Sequence, residues 1–119
     1  MSDGSGVVMV ATLIALATGL AFIAGCAIHY GRQITSRRVP MQWGLNGAPT
    51  WFAPRVVGIW FAFGFTALVS AGLLIAAQYE PQKLAGLIFA LVIVTGTNMW
   101  MQAVHLKRVI RWQQQAPAG

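Results

Sequence analysis

Carboxylates, histidines and thiols are the groups from which proton transfer, hydrolysis or metal binding would be built, and this sequence has few of them. Its only acids are Asp3 and Glu80. They lie in different connections, so no carboxylate pair for acid–base work can form. His29 and His105 have no Asp, Glu or second Cys nearby in sequence, which argues against a zinc site. Cys26, the lone cysteine, lies within an apolar run and reads as a small hydrophobe with no disulfide partner in the chain. No Gly-rich phosphate loop, Ser-His-Asp set or Cys-His pair stands out. The expectation is a protein that is not an enzyme and carries no metal and no cofactor. Asn98, flanked by Thr95, Thr97 and Gln102, is the other polar candidate. The apolar stretches carry no carboxylate, Lys or Arg, so its amide reads as a bond between packed helices rather than as part of a transport path.

The stretch with the most unusual residue types is 38–55, reading RVPMQWGLNGAPTWFAPR. Pro40, Pro49 and Pro54 break helix, and Asn46-Gly47 supplies left-handed backbone angles for a tight turn. Trp43, Trp51 and Phe52 are amphipathic or apolar rings suited to a membrane interface. So many prolines and aromatics in one short stretch predict a structured loop rather than a flexible tether.

On Pro40, Trp43, Gly44, Asn46, Gly47, Pro49, Phe52 and Arg55, this loop resembles the one that follows the first helix in SdpI-like immunity proteins. Gln42 stands where that family usually has His, and Thr50 where it often has Asp. The resemblance implies a membrane-embedded protein that acts through contacts, in immunity to a secreted toxin or in signalling. It covers about sixteen residues and their helix-loop-helix setting.

The elements that position these groups follow from composition. Hydrophobic residues make up 57% of the 119 residues and charged residues 8%, against roughly 25% charged in an average soluble domain. A water-facing surface cannot be built from so few charges. Three charge-free stretches, 7–29, 56–78 and 84–104, are each long enough to cross a hydrocarbon core of roughly 30 Å as helix. In lipid every backbone N–H and C=O must be satisfied within the segment, so helices are expected. The first stretch is too long, and lacks the basic start, for a secretory signal. The predicted fold is a single all-α membrane domain over 1–119, with three transmembrane helices, a structured loop between the first two, and a basic C-terminal tail at 105–119.

Of the eight Lys and Arg residues, Arg32, Arg37, Arg38, Arg55, Lys107, Arg108 and Arg111 fall on one side of such a bundle, and Lys83 on the other. The positive-inside rule then puts the N-terminus outside the cytoplasm and the C-terminus inside, in a bacterial cytoplasmic (inner) membrane. The net charge of +6 suits anionic lipid headgroups better than nucleic acid in so apolar a chain, with Arg37, Arg38, Lys107, Arg108 and Arg111 as the contacts. In the tail, Leu106, Val109 and Ile110 interleave with the basic residues. This pattern suits either an amphipathic extension of the third helix on the membrane surface or a solvated helix end.

Small residues mark expected packing faces. Ala11, Ala15 and Gly19 repeat at four-residue spacing, as do Ala17, Ala21 and Gly25. Such stripes let helix backbones approach closely where lipid offers no hydrophobic drive. With two stripes, the first helix can contact its own neighbours with one and a partner with the other. Two function classes remain. One is a small accessory or assembly subunit of a larger membrane complex, and the other a stand-alone SdpI-like immunity or membrane signalling protein.

Overall fold

The computed structural model describes residues 3–115. Helix α1 spans Asp3–Gly31, α2 spans Arg55–Tyr79 and α3 spans Leu84–Gln115, with a single 3-10 turn, Pro81–Lys83, between α2 and α3. All three helices are long and apolar enough to cross a membrane. The expected loop is more regular than an all-α fold allows. It contains two antiparallel strands, β1 (Arg38–Trp43) and β2 (Pro49–Pro54), so the fold is mostly helical with one small hairpin.

The hairpin forms despite its prolines because a two-stranded ribbon consists of edges, where a missing N–H is tolerated. Its pairing runs Val39 opposite Ala53 and Pro40 opposite Phe52, with irregularities on either side of Gln42. The turn uses the residues expected for it. Gly47 has φ of 83°, the only positive φ among the described residues. Its N–H donates to the Gly44 carbonyl at 2.9 Å, and the Asn46 side-chain oxygen accepts from the Ala48 N–H at 3.0 Å.

At the C-terminus α3 continues unbroken to Gln115, so the basic segment from 105 extends the third helix, as its sequence pattern allowed; residues 116–119 of that tail lie outside the described ones. At about 1.5 Å per residue such a helix exceeds the hydrocarbon thickness of roughly 30 Å. The molecule is 61 Å long, more than that thickness. Its large-residue core lies at the hairpin end. Cys26, Ala27, Ile34, Val39, Ile59, Leu106, Val109 and Ile110 form one buried cluster, joining the end of α1, the connector, β1, the start of α2 and the end of α3. Elsewhere along the spans the buried positions are mainly small or hydroxylated, including Thr12, Gly19, Thr66, Ser70, Ala77 and Thr95. Small side chains admit close helix approach, and the remaining apolar surface is left for lipid or a partner.

Candidate functional site

The hairpin is not a free loop; both α2 and α3 hold it. Val39 packs onto Gly58 of α2 so closely that a Cβ at that glycine would lie 2.7 Å from the valine Cβ. From α3, the His105 Nε2–H donates to the Pro40 carbonyl at 2.8 Å, which sets the ring's tautomer because a carbonyl only accepts. The Arg108 guanidinium lies 4.2 Å from the centroid of the Trp43 ring, and Trp112 meets Phe52 with ring centroids 5.8 Å apart. Gln113 reaches the connector, accepting from the Thr35 N–H at 3.0 Å and donating to the Gln33 carbonyl. The extension of α3 therefore docks on the hairpin through Leu106, Val109 and Ile110, the apolar residues its sequence pattern singled out.

Arg55, expected as the basic residue that ends the loop, is the first residue of α2 and reaches back to α1. Its Nε–H donates to the Ile34 carbonyl at 2.6 Å and an Nη2–H to the Gly31 carbonyl at 2.8 Å. A cation at the carbonyl end of a helix also complements the helix dipole. Lys107 lies over the Tyr30 ring at 5.8 Å, whereas Arg37, Arg38 and Arg111 are exposed. Trp51 is exposed on the hairpin, as is Leu45 at its tip.

The cross-helix amide is Gln102, not Asn98. Gln102 is buried, and its Nε2 donates to the Ile59 carbonyl of α2 at 3.1 Å and the Ile23 carbonyl of α1 at 3.3 Å, tying all three helices at one level. Leu91, Thr95, Gln102, Leu106 and Val109 share one buried face of α3. Asn98 sits at the edge of that face, half-buried. Asn98 follows Thr95 by three residues and precedes Gln102 by four, so helical spacing alone does not separate the two amides. Gln102→Leu is expected to cost about 1 kcal/mol of bundle stability, the scale of interhelical hydrogen bonds in membranes, while Asn98→Leu costs nothing measurable. Reversible unfolding in mixed detergent micelles would check both.

Of the small residues singled out on α1, Gly19 alone lies in the helix interface, facing Thr95 of α3. Ala11, Ala15, Ala17, Ala21 and Gly25 are exposed, so they are not packing positions within this chain. A Cβ at Gly25 would meet nothing within 4 Å. The buried face of α1 instead follows Thr12, Gly19, Ile23 and Cys26-Ala27, a different stripe from either alanine row.

Between the hairpin, α2 and α3 lies a cavity of about 330 Å³. Met41 and Trp43 line it from β1, Phe61 and Ala62 from α2, and Asn98 and Met101 from α3. Among the described residues no three His, Cys, Asp or Glu side chains come together. What the arrangement offers is shape, apolar surface and a cationic rim. No protein-family model, curated protein or solved structure matches the chain.

Proposed function

We propose that this is a non-catalytic integral membrane protein, a small accessory or assembly subunit of a larger membrane complex that acts through helix–helix contacts. The observation that carries this reading is the unoccupied small-residue face of α1. Ala17, Ala21 and Gly25 repeat at four-residue spacing on its exposed side, and the space beside Gly25 is open. A row of small residues turned away from a chain's own helices offers another helix the close approach on which association in lipid depends. Its partners are then other membrane protein subunits and membrane lipids, not nucleic acid. The basic end faces the cytoplasm of a bacterial inner membrane, with the N-terminus outside, by the bias of Lys and Arg.

The hairpin favours a second reading, a stand-alone SdpI-like immunity or membrane signalling protein. Pro40, Trp43, Gly44, Asn46, Gly47, Pro49, Phe52 and Arg55 carry that likeness, and they fall on the hairpin, its turn and the Arg55 clamp.

Purification of the tagged protein from native membranes in mild detergent separates the two readings. A subunit elutes with stoichiometric partners, and Gly25→Leu, which meets no obstacle in its own fold, releases them while leaving the chain's helicity unchanged. A partner-free particle, or partners retained by Gly25→Leu, would move the assignment to the second reading.

A further inference from the structure

We infer that the hairpin end holds one anionic phospholipid of the adjoining leaflet, its phosphate between Arg108 and Arg111 and one acyl chain between α2 and α3. Two cavities adjoin there, and Trp43 and Arg108 line both. The first is the apolar cavity of about 330 Å³ walled by Phe61, Ala62 and Met101. The second, of about 300 Å³, is walled by Arg111 and Gln115. From Arg108 to Asn98 the first follows α3 for about 15 Å, from the exposed end toward the middle of the span. A cationic chamber opening onto an apolar one at membrane depth has the polarity of an amphiphile, not of a free anion, which would use only the second chamber.

Two further observations support a phosphate at the junction. The indole N–H of Trp43 is buried with no acceptor among the described residues, and a buried donor left unpaired is costly. The Arg108 guanidinium carbon lies 4.2 Å from the Trp43 ring centroid, a contact that uses none of its N–H groups as hydrogen-bond donors to oxygen, so these remain available for phosphate oxygens. Among the described residues no carboxylate pairs with either arginine. The one ion pair among the described residues, Lys83 with Glu80 at 3.1 Å, lies between α2 and α3 at the other end of those helices. This site requires membrane insertion but not the subunit reading.

The test is native mass spectrometry of the full chain in mild detergent, titrated separately with phosphatidylglycerol, phosphatidylcholine and inorganic phosphate. One phosphatidylglycerol per chain should be retained, with neither of the other two held. Arg111→Gln should weaken retention roughly fivefold, and the Arg108→Gln/Arg111→Gln pair roughly thirtyfold, on the scale of one cation each near a lipid headgroup. Ala62→Phe, which fills the apolar chamber and leaves both arginines in place, should also release the lipid. Arg37→Gln/Arg38→Gln removes equal charge outside the chambers and should change nothing. Equal retention of phosphatidylcholine or of inorganic phosphate would overturn the proposal. So would equal loss in the Arg37/Arg38 variant, or indifference to Arg111→Gln and Ala62→Phe.

Discussion

Gly19→Leu is expected to drive α1 away from α3 and to remove most of the stability of the bundle, with a loss of more than about 3 kcal/mol in an unfolding titration. The reason is distance. A Cβ at residue 19 would lie 2.4 Å from Thr95 Cγ2 and 3.4 Å from Met99 Sδ, before any longer side chain is added. Met99 can bend aside, but the threonine methyl is two bonds from the Cα of a buried helix position and has only its χ1 rotation to offer. Gly19→Ala should therefore cost less, about 1–2 kcal/mol, within the usual range for overpacking. Combining it with Thr95→Ser, which removes the offending methyl, should recover most of that loss. A double-mutant cycle with no coupling between residues 19 and 95 would mean that the two helices do not cross there. Gly25→Leu serves as the internal contrast, since the same substitution six residues later enters open space.

The contrast between Gly19 and Gly25 also marks where sequence reasoning stops. Both glycines lie in small-residue stripes of equal regularity, and in a membrane helix the spacing of glycine and alanine does not say which stripe faces the chain's own helices. The spans were legible because the absence of charge over more than twenty residues has one physical solution, a helix in lipid. The hairpin was half legible. Asn46-Gly47 announced its turn, and Val39, Met41 and Trp43 alternate with exposed Arg38 and Gln42, yet three prolines and an irregular register obscured the strands. The apolar rhythm of Leu106, Val109 and Ile110 was plain in the sequence, but what it packs against is a hairpin more than fifty residues earlier. Pairings at that range, such as His105 with the Pro40 carbonyl and Gln113 with the connector, leave no local trace.

Arg55→Gln is expected to loosen the junction of α1, the hairpin and α2 together, at a cost of about 2–3 kcal/mol. This allows for partial exposure, since a hydrogen bond from a charged donor contributes roughly 1.5–3 kcal/mol. Position alone would suggest the opposite sign. Arg55 opens α2, where a cation opposes the helix dipole by about 0.3–1 kcal/mol. The two carbonyl bonds outweigh this, because Gly31 ends α1 and Ile34 belongs to the turn that follows; the Gly31 oxygen also accepts from the Ile34 N–H at 3.2 Å, so the Ile34 oxygen depends most on Arg55. The same residue's backbone N–H donates to the Arg37 carbonyl at 2.9 Å, fixing where the hairpin meets α2. Arg55→Lys keeps the charge but not the fork that spans two carbonyls, and should recover less than half of the loss. Hydrogen exchange locates the effect. Protection should fall in 31–43 and at the start of α2, while the amides of 60–75 keep theirs. A uniform loss along all three helices would instead mean that Arg55 acts through insertion of the whole chain rather than through the clamp.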